Sequence, residues 1–181
     1  MDDIERLVAD AVDGDPVAAA ALVRATQSDV WRLCAALGDP QSADDLTQET
    51  YLRAFGALHR FEGRSSLRTW LLAIARYKAL SALRRRTDEH LDDNMAATIE
   101  DTADNPEIVA HTKDRNTIVQ KCLTQLSPAH REVIDLVYYH EKSVKEVAQI
   151  VGVPESTVKT RMFYARKRME TMLETAGVNR Q

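Results

Sequence analysis

The chain has 181 residues, of which 44% are hydrophobic and 29% charged, and its formal net charge is −4. This composition is typical of a soluble cytosolic protein with enough apolar residues to form hydrophobic cores. The first residues are acidic and lack an apolar signal core, and no stretch of about 18 apolar residues predicts a membrane span. Six glycines, five prolines and no alternating β-branched pattern favour helices.

The charges are arranged in blocks of opposite sign along the chain. Residues 60–86 carry eight basic residues against one acid, whereas residues 87–110 carry eight acids and no lysine or arginine. The first twenty residues are acidic, and residues 159–168 are basic again. Alternating blocks of this kind indicate separate surfaces for separate partners. The chain is therefore locally basic although its net charge is negative.

The first half predicts three helices. Asp15 and Pro16 are typical of an N-cap and a first helical residue, and they open a helix that we expect to end before Gly38. Residues 42–45 resemble a capping box that opens a second helix with Leu46, Thr50, Phe55 and Leu58 toward a core. A loop at residues 59–65 precedes a long, largely apolar helix at residues 67–86.

The second half predicts a linker and four further helices. Periodicity is lost over residues 87–104, which predicts a flexible acidic linker between two domains at residues 1–86 and 105–181. Helices are expected to begin at Asn105-Pro106, at residue 129 after Ser127-Pro128, after a cap at Ser143, and at Glu155 after a turn on Gly152. We therefore predict an all-α fold of two helical domains.

Residues 143–169 have the pattern of a helix-turn-helix. At about 100° per residue, Val158, Met162, Ala165 and Met169 form one buried stripe on the last helix. Hydroxyl, aromatic and basic side chains then project from the opposite side, as suits a helix in a DNA major groove. The alternative is a surface helix whose basic face is only solvated. The preceding helix and turn favour DNA binding.

Other features have both a structural and a functional interpretation. An acidic patch of Asp44, Asp45 and Glu49 at a helix start suits either the helix dipole or a basic partner. Aromatic residues among the bases of residues 60–86 suit stacking with single-stranded bases, although Trp70 fits a core position better. Cys34 and Cys122 are expected to be buried, reduced thiols. No metal-ligand spacing accompanies them.

Four segments, in order along the chain, resemble extracytoplasmic-function (ECF) sigma factors, group 4 of the sigma-70 family of bacterial RNA polymerase. They are DDLTQETYLRAF at 44–55, TWLLAIAR at 69–76, LSPAHREV at 126–133 and VKTR at 158–161. The resemblance covers about residues 15–86 and 115–173. It implies that the first domain is sigma region 2 and the second is sigma region 4.

The resemblance also implies which residues act at each surface. Docking on the clamp of the polymerase largest subunit falls to Asp44, Asp45, Gln48, Glu49, Leu52 and Arg53. Recognition and melting of the −10 element falls to Arg60, Phe61, Arg64, Ser65, Arg68, Arg76, Lys78, Arg84 and Arg85. Recognition of the −35 element falls to Ser156, Thr157, Lys159, Thr160, Arg161, Phe163, Tyr164, Arg166 and Lys167.

The partners implied by the resemblance are core RNA polymerase, through its clamp and its flap, promoter DNA, and a cognate anti-sigma factor in a stress or envelope response. No cofactor or metal is expected, and no catalytic residue. Tyr164 stands where many relatives carry a basic residue, so the −35 sequence does not transfer from them. The acidic linker is expected to thread through the polymerase.

Two other classes of protein fit parts of the sequence. A dimeric helix-turn-helix repressor accounts for the second half but not for the basic block that precedes the acidic linker. An enzyme is the other alternative, with His130 and Glu132, or Asp44 and Glu49, as its acid–base pair. No glycine-rich phosphate loop, nucleophile elbow or metal cluster accompanies either pair.

Overall fold

The computed structural model describes residues 3–93 and 113–178, and these residues contain α-helices and 3-10 turns without any strand. This confirms the predicted all-α fold. The helices are α1 (Asp3–Val12), α2 (Pro16–Leu37), α3 (Ala43–Ala57), α4 (Leu67–Asp93), α5 (Lys113–Thr124), α6 (Pro128–Tyr138), α7 (Val144–Val151) and α8 (Glu155–Thr175). Short 3-10 turns lie at Pro40–Ser42 and Leu58–Arg60.

Helix α1 is not among the helices predicted from the sequence. Ile4, Leu7, Val8 and Ala11 recur at helical spacing and pack against the core. The helix lies against α2. The apolar stripe decides the structure of this segment, because burial needs only one face of a helix.

Helix α2 begins and ends where the sequence predicts. The Asp15 carboxylate accepts a hydrogen bond from the Val17 N–H at 2.8 Å, and Pro16 occupies the first turn. At the other end the Gly38 N–H donates to the Cys34 carbonyl at 2.9 Å. Both caps are formed by residues close together in the chain, so the sequence predicts them.

The predicted capping box at residues 42–45 is wrong. Ser42 makes no side-chain cap with the start of α3. Pro40 begins a 3-10 turn instead, which is capped by Asp39 accepting from the Gln41 N–H at 3.0 Å. The Ser42 hydroxyl accepts from Arg86 of α4. The 3-10 turn therefore directly precedes α3 and orders the first residues of that helix.

Helix α4 extends to Asp93, seven residues beyond the predicted end at Arg86. The chain has no glycine or proline between residues 64 and 105, so nothing in the backbone stops the helix where the acids begin. The start of the predicted linker is therefore helical. The rest of that linker and the predicted helix start at Asn105-Pro106 lie outside the described residues.

The second half is fixed by local caps. Ser127 accepts from the His130 N–H at 3.3 Å at the start of α6. Helix α6 ends at Tyr138, and Glu141 in the following loop adopts a positive φ of 51°. Ser143 and Glu146 form a reciprocal capping box on α7. Gly152 has a φ of 74°, as the predicted tight turn requires.

The helices form two groups that are in contact. In the first, α4 packs against α2 and α3; in the second, α8 packs against α5, α6 and α7. Contacts of α4 with α7 and of α2 with α6 join the groups, and the buried apolar residues of both form one continuous cluster. Fully buried leucines of both groups, including Leu33, Leu72 and Leu136, each stabilise the fold by about 1.5–3 kcal/mol.

Candidate nucleic-acid interface

The helix-turn-helix predicted at residues 143–169 is present. Helix α7 ends at Val151 and is capped by Gly152, and α8 begins at Glu155. Val158, Met162 and Ala165 are buried and Met169 is partly buried, so the predicted stripe is the one that packs. It faces α6 and α7, which leaves the other side of α8 to solvent.

The solvent side of α8 carries the side chains predicted to meet DNA. Exposed residues on this helix include Ser156, Lys159, Thr160, Phe163, Tyr164, Arg166 and Lys167, while Thr157 and Arg161 are half-buried. The Phe163 and Tyr164 rings meet edge to face, with their centroids 5.4 Å apart, and each ring is more than half exposed. Hydroxyl, aromatic and cationic groups therefore share one accessible surface.

Arg166 of α8 contacts a residue of another helix, Tyr138 of α6. Its Nε donates to the Tyr138 hydroxyl at 2.9 Å, and its guanidinium lies 5.8 Å from the centroid of the same ring. The side chain is thereby directed toward the end of α6. Of the predicted −35 residues, Arg166 is held at the edge of the exposed face.

The acidic patch of α3 has one side turned to solvent. Asp45 and Gln48 are exposed, and Leu52 is 77% exposed, which is unusual for a leucine. These three positions lie on one face because they are three and four residues apart. Asp44 points elsewhere, since its carboxylate accepts a hydrogen bond from Trp31 Nε1 at 2.8 Å.

A shallow groove runs between α3 and α4 beside that patch. It is lined by Glu49, Leu52, Arg53, Gly56, Ala57, Arg60 and Lys78. Lys78 Nζ lies 3.4 Å from a Glu49 carboxylate oxygen, and the Arg53 guanidinium lies 5.8 Å from the centroid of the Tyr77 ring. Arg60 and Lys78, which were predicted for the −10 element, thus lie with the residues predicted for polymerase.

The predicted −10 bases of α4 do not form one patch. Arg68 pairs with Asp29 of α2, Arg76 pairs with Glu132 of α6, and Lys78 pairs with Glu49 of α3. Three cations of one helix therefore contact three different helices.

The remaining predicted −10 residues are more accessible. Arg84 and Arg85 are exposed near the end of the helix, and Ser65 is half-buried in the loop before it. Arg64 is exposed in the same loop and lies 2.5 Å from Glu62. The exposed cations of this set therefore lie before α4 and near its end, not along its middle.

Phe61 and Trp70 pack together with their ring centroids 5.2 Å apart. Both are partly buried against the hydrophobic core, as expected for Trp70. Phe61 was predicted to contact the −10 element, and the structure places it on the core side of the loop. Cys34 and Cys122 are buried free thiols, and burial raises the pKa of Cys34 above its usual value.

Sequence reasoning missed the contacts between the two halves. Glu132 was considered only as part of an acid–base pair with His130, but its carboxylate is buried against Arg76, 56 positions earlier in the chain. Thr69 donates to Glu146, 77 positions away. No local sequence pattern predicts such pairs, because each partner is also compatible with its own helix considered alone.

Residues 3–93 and 113–178 hold no group of three or more His, Cys, Asp or Glu side chains placed to bind a metal ion. In the same part of the chain, no helix combines the length and hydropathy of a membrane span.

Together, a helix-turn-helix with an exposed polar and basic face, and a second helical group with its own charged faces, define a DNA-binding protein of the transcription apparatus. Comparison with known families agrees. Residues 22–89 match the model of Sigma-70 region 2, and residues 116–169 match that of Sigma-70, region 4.

Individual relatives match along most of their length. The chain is 38% identical to the probable RNA polymerase sigma-C factor of Mycobacterium bovis, covering 90% of this chain and 87% of that protein. It is 30% identical to the ECF RNA polymerase sigma factor SigW of Bacillus subtilis, covering 94% and 96%. The chain therefore belongs to the ECF sigma factors of the sigma-70 family, and it directs RNA polymerase to promoters.

Solved structures show the same fold. The sigma factor RpoE of Bartonella quintana, in complex with the anti-sigma factor NepR, superposes with a TM-score of 0.69 at 28% identity, covering 84% of this chain and 94% of that one. CnrH, in complex with the cytosolic domain of CnrY, gives a TM-score of 0.69 at 24% identity, covering 93% and 96%.

Proposed function

We propose that the two helical groups divide the work of a sigma factor between them. Residues 1–86 dock on polymerase and open the −10 element, residues 87–104 link the domains through the polymerase, and residues 105–181 bind the −35 element. Support comes from the family matches, which fall on either side of residues 90–115. The exposed face of α8 carries this proposal, since it presents base-reading and phosphate-binding groups together.

The solvent face of α3 is the polymerase-docking surface. Asp45, Gln48, Glu49 and Leu52 lie along it, and the groove beside it adds Arg53. An exposed leucine flanked by carboxylates suits a partner helix with an apolar stripe and basic flanks. Asp44 supports this face from the side by holding Trp31 of α2.

Promoter opening by the first domain needs no catalytic step in this chain. Unstacking costs about 1.4 kcal/mol per step, and stacking a flipped base on an aromatic side chain returns about 1–3 kcal/mol. Arg64, Arg84 and Arg85 are exposed and are suited to hold the phosphates of the opened strand. The chain acts by binding, and neither His130 nor Glu132 serves as an acid–base catalyst.

The setting of the protein follows from its partners. Core polymerase and promoter DNA place it in the bacterial cytoplasm. A cognate anti-sigma factor holds it inactive until a stress or envelope signal arrives, as supported by the likeness to the Bartonella quintana sigma factor solved with an anti-sigma factor. Contact with the polymerase flap falls to the second domain.

Promoter-specific transcription is the direct test. Purified core polymerase is mixed with the protein and with genomic fragments, and initiated transcripts are sequenced. We expect discrete start sites that share upstream motifs and that vanish without the protein. An Asp45→Lys variant should fail to bind core, whereas an Arg84→Glu, Arg85→Glu double variant should bind core but open promoters poorly. Absence of specific starts with a core-binding wild type contradicts the proposal, and so does loss of core binding in the double variant.

A further inference from the structure

A tyrosine of α6 fixes the position of Arg166 on α8. The Arg166 Nε donates to the Tyr138 hydroxyl at 2.9 Å, and the guanidinium carbon lies 5.8 Å from the centroid of the same ring. One partner therefore supplies both a hydrogen bond and a cation–π contact. Both residues are exposed, Tyr138 at 57%, so these mutual contacts and not burial set the position of the guanidinium.

The hydrogen bond occupies one defined side of the guanidinium. Arginine has five N–H donors, one on Nε and two on each Nη, arranged in a planar fork. Tyr138 accepts from Nε. The opposite edge of the group carries the two Nη atoms, and two parallel N–H groups match two oxygens of a phosphate. The contact with Tyr138 is therefore compatible with a bidentate contact to DNA on the Nη edge.

Arg166 lies between two surface depressions of different chemistry. A cleft of about 840 Å³ is lined by Arg166 together with Lys142, Lys159 and Lys167. A second groove, of about 530 Å³, is mainly apolar, and both Arg166 and Tyr138 line it. Tyr138 therefore holds Arg166 from the apolar side, at the rim of a cleft whose other cations suit an anionic ligand.

We propose that Tyr138 is a positioning residue for binding of the −35 element. Its hydroxyl holds the Nε side of Arg166 so that the Nη edge meets one phosphate of the DNA backbone. The −35 surface then extends from α8 onto the end of α6, a helix that the sequence analysis did not assign to DNA. This inference rests on the proposed function of α8.

A neutral hydroxyl is suited to this task. An arginine side chain loses rotamer freedom when a ligand holds it, and this loss weakens binding. Because Tyr138 already orders Arg166 in the unbound protein, less of that freedom is lost when DNA binds. The cations of α4 differ, since Arg68, Arg76 and Lys78 are paired with carboxylates, whose negative charge would repel a phosphate.

The place of Arg166 at the edge of the exposed face indicates a backbone contact. Contacts to phosphates fix the register of a protein on DNA, whereas contacts to base edges read its sequence. Loss of the Tyr138 hydroxyl should therefore weaken binding by a similar factor on every −35 sequence. A residue that reads a base would instead change the order of preference among those sequences.

Promoter binding by the polymerase holoenzyme tests this role. Core polymerase is combined with the full-length protein, and the Kd is measured on a promoter fragment taken from the sequenced start sites. Tyr138→Phe keeps the ring but removes the hydrogen bond, and it should weaken binding about fivefold. Tyr139→Phe is the matched control, because it removes a hydroxyl from the next residue and keeps the ring that contacts Arg32. It should bind as tightly as wild type does.

Two further measurements distinguish positioning from a structural contact between α6 and α8. Arg166→Lys keeps the charge but lacks the Nε donor, so adding Tyr138→Phe to it should cause no further loss. Each phosphate of the −35 element is then replaced in turn by a neutral methylphosphonate. At one phosphate, the replacement should weaken wild type and Lys159→Ala alike but should weaken Tyr138→Phe much less. A structural contact predicts an equal loss at every phosphate.

The outcomes separate this inference from the proposed function. Equal affinities of wild type and Tyr138→Phe overturn it, as does a loss that persists undiminished in the Arg166→Lys background. A methylphosphonate profile shared by wild type and Tyr138→Phe also overturns it. If Lys159→Ala weakens binding and Tyr138→Phe does not, the inference alone fails. If neither variant weakens binding, the proposed function of α8 fails with it.

Discussion

The hydroxyls of Thr26 and Tyr51 lie 2.6 Å apart in the core of the first domain. Thr26 donates its only hydroxyl proton to the Leu22 carbonyl at 2.7 Å, so Tyr51 is the donor in the pair. Burial raises the pKa of Tyr51, which keeps the phenol neutral and able to donate. The contact ties α3 to α2 behind the surface proposed to bind polymerase.

Replacing Tyr51 by phenylalanine should therefore destabilise the first domain by about 1 kcal/mol, the usual contribution of a buried hydrogen bond. Thermal unfolding measures the loss. Tyr77→Phe is the matched control. Because Tyr77 is 60% exposed, this variant should unfold at the same temperature as wild type. Equal losses in the two variants would contradict the role given to the Thr26 contact.

Glu146 predicts a dependence of stability on pH. Desolvation is the largest single influence and raises its pKa, but hydrogen bonds from Ser143 and Thr69 and the charge of Lys142 together outweigh it, so the pKa lies below its usual value of 4.5. Because the unfolded state takes up the proton first, this stabilisation is present above about pH 4.5 and is lost as the pH falls through the folded-state pKa.

The measurement compares the melting temperatures of wild type and Glu146→Gln across this range. We expect the variant to melt lower at neutral pH and the difference to shrink as the solution is acidified. Glu155→Gln is the control, since Glu155 is exposed in the first turn of α8. A difference that stays constant down to pH about 4 would show that the Glu146 carboxylate does not carry the effect.

Leu52 predicts a separation of binding from stability. Its side chain is 77% exposed, so Leu52→Ala should leave the melting temperature nearly unchanged while weakening core-polymerase binding by about 1.4 kcal/mol or more, which is tenfold in affinity. Val17→Ala, at a 70% exposed position of α2, should change neither quantity. Titration of fluorescent core polymerase with each variant measures the affinity. If Leu52→Ala binds core polymerase as tightly as wild type does, α3 is not the docking face.

Local chemistry explains which parts of the fold the sequence predicts. Asp15, Ser127 and Ser143 cap helices through partners two or three residues away, so the signal and the structure lie in the same short segment. Ser42 has a similar sequence context, but the 3-10 turn that begins at Pro40 directly precedes α3. That turn changes the backbone conformation at the start of the helix. A local rule fails where an adjacent element competes for the same residues.

Contacts between distant residues explain what the sequence does not predict. The sequence shows that Arg68, Arg76 and Lys78 are cations beside apolar turns of one helix. Which acid each one meets depends on how α2, α3 and α6 pack around α4. The exposed face of α8 was predictable because its buried stripe fixes the opposite side by helical periodicity alone.

Lys159 tests that face of α8 through the salt dependence of DNA binding. Each phosphate contact contributes about 0.9 to the slope of log affinity against log salt concentration, so Lys159→Ala should reduce the slope for a −35 duplex by about one. Lys121→Ala changes the net charge equally from an exposed position on α5 and should leave the slope nearly unaltered. If both variants lower the slope alike, the effect comes from net charge and not from a specific phosphate contact. The prediction that α8 lies in the DNA groove is then wrong.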